Sequence, residues 1–445
     1  MADRQRYNLS ALVRHLSRSH HSIPMKTIVL GAGVIGTTTA YYLAKAGHEV
    51  HVIDRQPEAA MEASFANGSV LHTSEAEPWS RPGMPRAVLG WLGKDDAPML
   101  LRLGALPSMW KWGIDFIRHC TTERYRQAAG VNLRLAHHTL AVMEALRTDT
   151  GLEYDRAQRG TLKIYTRQAA LDQNAAESAL QAPLGLVYEV ADAARCVTIE
   201  PALAPIRDTL AGGIYAPRDE QGDCHQFTVG LRRYCETKLG VMFHFNTTIN
   251  RIVHSGDRVE SVETCDGRIA GDRYVAALAS YSSALLSPLG VKVSIYPAKG
   301  ITVTAPDDAW PQGPQVPVID DTRLFGLVHL GRHYRLSGSV EFNGWDTTPH
   351  SARVKALIVN VLSVFPDFAR CYNEQTAQVW AGLRPMPSSG NPYVGATKLK
   401  NLYLNCGHGH IGWTLACGSS HLLADLIAGR KPAIDMTGLT PATHL

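Results

Sequence analysis

Three things are missing from this 445-residue chain, and each absence removes a class of protein. No cysteine pair has CxxC spacing. The eight cysteines (Cys120, Cys196, Cys224, Cys235, Cys265, Cys371, Cys406 and Cys417) are scattered, and no Cys/His cluster has zinc-ligand spacing. No metal site is expected, and free thiols in a reducing compartment are the simple reading. No apolar run approaches the roughly 18 residues that a membrane-spanning helix needs. A large net charge is also missing: the formal value is +4. Residues 1–24 hold Arg4, Arg6, Arg14 and Arg18 against Asp3 alone, so the rest is near neutral and offers no basic stripe to nucleic acid. What remains is 45% hydrophobic, enough for a sizeable core in two or three domains.

The most informative stretch is residues 26–55, KTIVLGAGVIGTTTAYYLAKAGHEVHVIDR. An apolar strand carrying Ile28, Val29 and Leu30 runs into Gly31-Ala32-Gly33-Val34-Ile35-Gly36. A helical segment, Gly47 and a second strand ending in Asp54 follow. Gly31 permits the tight turn, Gly33 lets backbone amides approach a pyrophosphate, and Gly36 lets the helix lie close on the sheet. The helix N-terminus favours phosphate charge. Asp54, about 20 residues on, is placed to accept from a ribose diol. A lone GxGxxG is weak evidence; strand, glycines, helix, strand and acid in register bind a dinucleotide.

The layout beyond residue 70 argues against a continuous βαβ series. EAAMEASFAN after Asp54 reads as helical, residues 98–147 as largely helical, 160–166 as a strand, 168–182 as a polar helix and 212–216 as a strand. A helix over about 226–239 leads into a β-meander. More short strands cover 293–342, a helix covers 350–364, and the last helix covers 412–428. The predicted class is α/β (mixed α+β): a Rossmann-like domain completed by distant segments, with an inserted antiparallel-sheet substrate domain. That is the pattern of flavoproteins that bind FAD extended. The boundaries follow: 25–80, 212–282 and 392–433 for the FAD domain, and 81–211 and 283–391 for the substrate domain. Residues 1–24 are an extension without fixed structure, and 434–445 a tail.

A second glycine cluster, LYLNCGHGHIGWTLACG over 402–418, contains Gly407, His408, Gly409, His410 and Gly412. A strand enters a Gly-His-Gly turn and opens a helix, whose N-terminus suits the negative charge of a reduced flavin ring. Arg384, in WAGLRP just upstream, can hold a carboxylate bidentately.

With these residues assembled, the chain resembles the D-amino acid dehydrogenase branch of the FAD-dependent amine and amino-acid oxidoreductases. The segments AGHEVHVIDRQP, DEQGDCHQFT, HFNTTI, SYSSALL, YPAKG, AGLRPM and LNCGHGHIGWTLACGS carry the likeness, from Met25 to about Ala433. The resemblance implies oxidation of a small D-amino acid to an imino acid that hydrolyses to a 2-oxo acid and ammonia. Electrons would pass to a respiratory quinone or another non-oxygen acceptor. It also implies that Asp54 and Arg55 hold the adenosine, Ser64 and Asn67 lie along the pyrophosphate and ribityl chain, and the Ile249 backbone meets the adenine. Arg384 takes the substrate carboxylate. No cysteine stands at the turn used for covalent attachment in sarcosine oxidases, so FAD is expected to be non-covalent. The chain departs from the branch at Pro387-Ser388-Ser389-Gly390, where the usual aspartate is missing. It also departs at Ala279 and Ser69, each in place of a usual glycine, and at His410-Ile411.

The simplest mechanism is hydride transfer from the substrate Cα to flavin, with His408, His410 or His329 taking the amine proton. An oxygen-using oxidase of glycine, sarcosine or another secondary amine is the alternative; a non-catalytic flavin-binding subunit is a third reading. The expected location is the cytoplasm, with a peripheral contact on the inner membrane face. The stretch 98–118 suits that contact, with Trp110, Trp112, Phe116 and Ile117 beside Arg102, Lys111 and Arg118. A core-packed helix is the competing reading.

Overall fold

A computed structural model of the chain describes residues 24–91 and 99–439. The expected extension up to residue 23, Pro98 of the aromatic stretch and the tail beyond residue 439 lie outside the described residues.

Two large sheets dominate. The first has six strands, in the order Tyr393–Ala396, Leu402–Cys406, Arg273–Ala276, Lys26–Leu30, Glu49–Ile53 and Met242–His244. All pair in parallel except the Tyr393–Ala396 edge, which runs antiparallel. Lys26–Leu30 sits inside the sheet and is buried on both faces, which is why it reads as an unbroken apolar run. The carboxyl ends of its parallel strands open on one edge, at Gly31, Asp54, Ala277 and Gly407.

The helix Val34–Lys45 follows the first strand and starts at Gly33 with no side-chain cap. It crosses close over the turn: a Cβ on Gly36 would stand 1.8 Å from the Gly31 carbonyl oxygen. Only glycine fits there. Its other face carries Thr38 and Thr39, whose hydroxyls meet Ser420 Oγ at 2.8 and 3.0 Å. Asn405 Nδ2 donates to Thr39 at 2.9 Å. This polar seam fastens the first helix to the last, Gly412–Ile427.

The second sheet has nine strands. Its order is Gln378–Pro387, Ile295–Pro306, His333–Phe342, Phe325–Leu330, Val318–Asp320, Thr161–Tyr165, Gly212–Ala216 and Glu189–Ala191, with Met99–Leu101 added beside His333–Phe342. It is antiparallel apart from two parallel pairings. Three assignments from sequence need correction. Strand 212–216 belongs to this sheet and not to the dinucleotide domain, because its partners are Thr161–Tyr165 and Glu189–Ala191. The helix Thr122–Thr150, placed with the substrate domain, buries Leu135, Ala136, Met143 and Leu146 in the dinucleotide core. EAAMEASFAN is not a helix: Ala60 has φ +63°, and the segment runs irregularly along the cavity described below.

Both family glycine positions occupied by other residues lie in the left-handed region, Ser69 at φ +61° and Ala279 at φ +49°. A non-glycine residue there costs about 1–2 kcal/mol, against roughly 0.5–1 kcal/mol of extra chain entropy for glycine in the unfolded state. Ala279→Gly is therefore expected to stabilise the protein by about 0.5–1 kcal/mol, a rise of roughly 1–3 °C in thermal midpoint. An unchanged or lower midpoint would show that contacts around Ala279 already offset the strain.

Candidate active site

A single cavity of about 1540 Å³ runs from the glycine turn to Arg384. That exceeds the ~300–1,000 Å³ of ordinary small-molecule pockets, and is room for an extended dinucleotide plus a small substrate. It opens at the carboxyl ends of the parallel strands, the usual place for a ligand on such a sheet. Gly31, Gly33, Val34, Ile35, Asp54, Arg55, Ser64, Asn67 and Ile249 line one arm. His408, Gly409, His410, Gly412 and Arg384 line the other.

The first arm fits FAD. No side chain of Gly33 caps the helix Val34–Lys45, so its N-terminal amides face the cavity with Ser64 Oγ as a neighbour, 3.1 Å from Val34 N. That is an anion cradle beside a turn where side chains are excluded. Asp54 accepts from Ala32 N at 2.6 Å and Gln56 N at 2.9 Å. The acid predicted for a ribose thus also braces the glycine turn, and burial raises its pKa despite these bonds. Arg55 is held by Glu62 (Nε to Oε1, 2.8 Å) and lies over the Tyr281 ring at 4.1 Å. Ile28, Val29 and Leu30 are fully buried in the strand and, with Ala32, Gly36 and Gly407, do not line the cavity. Their part is to shape the turns.

On the other arm, Arg384 reaches from strand Gln378–Pro387 across its neighbour. A Cβ on Gly300 would meet Arg384 Nη1 at 2.2 Å, so the guanidinium lies where Gly300 has no side chain. The glycine of YPAKG makes that room. Nη1 donates to the Ser339 carbonyl at 3.2 Å, and among the described residues no carboxylate pairs with Arg384. Burial pulls its pKa down to about 10, still charged at neutral pH. A half-buried cation with no carboxylate partner among the described residues, facing a cavity, calls for an anionic ligand.

The histidines separate. His410 stacks on Trp79 with ring centroids 5.1 Å apart. His408 is 3% exposed, with Nε2 3.0 Å from Ser419 Oγ. Burial holds both rings neutral, with pKa values near 3; the Arg384 charge adds to the effect at His410. His329 is a correction. It alternates with Val328 along its strand, Val328 faces the cavity, and His329 points away to Asp307 (2.9 Å). The structure also places beside His410 a partly buried ionic group missed in the sequence. Lys163 lies 2.5 Å from Glu75 and 2.8 Å from Asp321. These three residues come from remote segments with no shared motif, so nothing in the sequence joins them.

Comparison with known proteins follows the same lines. The profile of the family described as "FAD dependent oxidoreductase" matches residues 26–426. The chain is 40% identical over 416 residues to the D-amino acid dehydrogenase of Bradyrhizobium diazoefficiens, covering 94% of this chain and 98% of that one. It is 42% identical over 411 residues to the D-amino acid dehydrogenase of Methylobacterium radiotolerans, covering 92% and 97%. Among solved structures, glycine oxidase from Geobacillus kaustophilus superposes with a TM-score of 0.74 at 21% identity, covering 95% of this chain and 100% of that chain. L-proline dehydrogenase from P. horikoshii superposes at 0.71 with 16% identity, covering 92% and 94%. Those two likenesses concern the fold.

Because His408 and His410 stay neutral when folded and titrate near 6.5 when unfolded, each contributes stability above pH 6.5 that is lost as pH falls toward 3. The loss is about 1.4 kcal/mol per pH unit per ring. Denaturant titrations of His410→Gln between pH 6.5 and 4.5 are expected to show a pH slope shallower by that amount. An unchanged slope would mean that the ring is protonated in the folded protein.

Proposed function

The chain belongs to the D-amino acid dehydrogenases of the FAD dependent oxidoreductase family, and from that premise we propose that it oxidises a D-amino acid to an imino acid and passes the electrons to a quinone. The imino acid then hydrolyses to a 2-oxo acid and ammonia. The observation that carries this reading is Arg384: a half-buried guanidinium, with no carboxylate partner among the described residues, lining the same cavity as the glycine turn. FAD, when bound, supplies the two-electron acceptor for the Cα hydride. Gly31, Gly33, Ser64, Asp54 and Ile249 hold its adenosine and pyrophosphate end. The N-terminus of Gly412–Ile427, which begins without a side-chain cap, faces the ring end.

Arg384 receives the substrate carboxylate as a two-point fork and so orients the Cα–H bond. His408 and His410, neutral at working pH, offer acceptor nitrogens and apolar ring faces but do not store a proton. Neutral rings of this kind are weak bases, so the reading requires that the amine reach the flavin in its neutral form.

Arg384→Lys substitutes a point charge for the fork. A loss of about 1.5–3 kcal/mol is expected, a KM at least tenfold higher, with FAD content unchanged. The assay is anaerobic flavin bleaching by a panel of D- and L-amino acids, followed by addition of a quinone or oxygen. An unchanged KM would remove Arg384 from the carboxylate role. Reoxidation by oxygen at the quinone rate would favour the oxidase reading.

A quinone acceptor resides in the bilayer, whereas among the described residues no helix is long and apolar enough to cross one. The helix Leu106–His119 and the turn before it expose a row of apolar side chains: Leu103, Leu106, Trp110 (56% exposed), Ile114 and Ile117. Lys111 lies over the Trp110 ring and Arg118 is exposed nearby. Such a row beside basic groups suits a peripheral contact with an anionic membrane. Trp112 does not belong to it: it is 8% exposed and its Nε1 donates to the Met386 carbonyl at 2.9 Å. It packs against Tyr296 and Phe342 because it faces inward on the same helix. The triple change Trp110, Ile114 and Ile117→Ser is expected to weaken binding to anionic vesicles and slow quinone reduction while sparing a soluble dye acceptor. Equal loss with both acceptors would discard the membrane contact.

A further inference from the structure

The strand His333–Phe342 slips against Ile295–Pro306 at one end of the pairing. Lys299 pairs with Glu341, yet Ile301 pairs with Gly338. Ser339 and Val340 together stand opposite the single residue Gly300, which is a β-bulge. Ser339 takes φ +60° there, a left-handed conformation uncommon for a serine in a strand. It is also the residue whose carbonyl accepts from Arg384 Nη1 at 3.2 Å. The guanidinium therefore lies across the bulge, over the bare α-carbon of Gly300 and against the turned-out carbonyl of Ser339.

The strained serine is held from below. Its Oγ accepts from Arg353 Nη2 at 3.1 Å and lies 3.1 Å from Glu341 Oε1. Glu341 has no exposed surface, and its second oxygen is 3.2 Å from Lys299 Nζ, also fully buried. Lys299 in turn lies 3.0 Å from Asp346. Such a conformation is strained and persists only where surrounding contacts over-determine it. A buried ionic group of this kind supplies that determination.

We propose that Ser339 is a positioning residue for substrate binding: the bulge turns its carbonyl onto Arg384 and fixes the rotation of the guanidinium, leaving the remaining donors aimed at the substrate carboxylate. This rests on the reading of Arg384 as the carboxylate receptor. One donor committed to the protein removes the freedom that an unpaired guanidinium on a long side chain otherwise has, and a fork that is fixed in advance binds a planar carboxylate at lower entropic cost.

The test uses the holoenzyme with the best D-amino acid from the panel above. Ser339→Gly keeps both the left-handed backbone and the carbonyl; Ser339→Val disfavours the backbone; Ser339→Ala removes only the hydroxyl tether. Expected for Ser339→Val is a KM raised tenfold or more, with kcat within threefold and flavin content unchanged. Ser339→Ala should show a smaller rise in the same direction, and Ser339→Gly a KM within threefold of the parent. The Kd of propionate, a carboxylate without an amine, read from flavin absorbance, should follow KM across the series. Should Ser339→Val lose its flavin, the Ser339→Ala and Ser339→Gly pair decides by the same KM and propionate readouts. Unchanged KM and propionate Kd in Ser339→Ala, together with either the same result or a merely lowered thermal midpoint in Ser339→Val, would overturn the proposal. If Arg384→Lys leaves KM unchanged, the carboxylate reading itself fails; if Arg384→Lys raises KM and the Ser339 series does not, only the positioning role fails.

Discussion

The parallel pairing of Lys26–Leu30 with Arg273–Ala276 is the constraint on which the rest depends. Two strands from opposite halves of the chain must lie side by side to complete one sheet. Between them the chain leaves that sheet after Glu49–Ile53 and returns to it at Met242–His244. The nine-stranded sheet is assembled from that excursion and from a second one between Arg273–Ala276 and Tyr393–Ala396, and the second brings Arg384 to the cavity that Gly31 lines. Close approach at the first turn makes the pairing workable. Gly36 lets the helix settle onto the Gly31 carbonyl, so that helix, turn and strand form one rigid edge facing the cavity. The seam of Thr38, Thr39, Ser420 and Asn405 then ties the first helix to the last, so that both helix N-termini serve one site.

Within that cavity the electrostatics divide the labour. Arg384 remains charged with no carboxylate beside it among the described residues, while burial keeps His408 and His410 neutral. A charged histidine next to Arg384 would compete for the same anion; a neutral one does not. The other buried cations near the site are matched. Lys163 sits between Glu75 and Asp321, and Lys299 between Glu341 and Asp346. The contrast between matched and unmatched cations distinguishes a binding arginine from a bracing one, and it supports the assignment of substrate class more directly than the fold does.

Several elements show where reading the chain alone goes astray. EAAMEASFAN has helix-forming composition, but its residues are committed to the cavity wall, and Ala60 adopts a positive φ to meet that demand. His329 and Val328 are adjacent letters with opposite directions, because side chains alternate across a strand. Trp110 and Trp112 look equivalent in a basic aromatic stretch. A helix turns about 100° per residue, so two positions apart they lie on opposite faces, one in water and one against Met386. Strand 212–216 follows a run of short helical turns and precedes a dinucleotide-domain helix, yet its hydrogen bonds go to the other sheet.

Local chemistry was legible from the residues themselves. The glycine turn, the uncapped helix start, the acid at the end of the second strand and the Gly-His-Gly turn depend on neighbours within a few residues, and short-range sterics and dipoles act at that range. Arg384 stood out from its own segment as a carboxylate binder, and the family likeness added the D-amino acid. Only the tertiary structure decided which remote groups share a wall: Gly300 beneath Arg384, Ser339 beside it, Lys163 between Glu75 and Asp321, and the direction of each histidine. Those relations come from strand pairings between distant segments and from a bulge in one ladder, and a shift of one residue in either would turn every side chain involved to the opposite face.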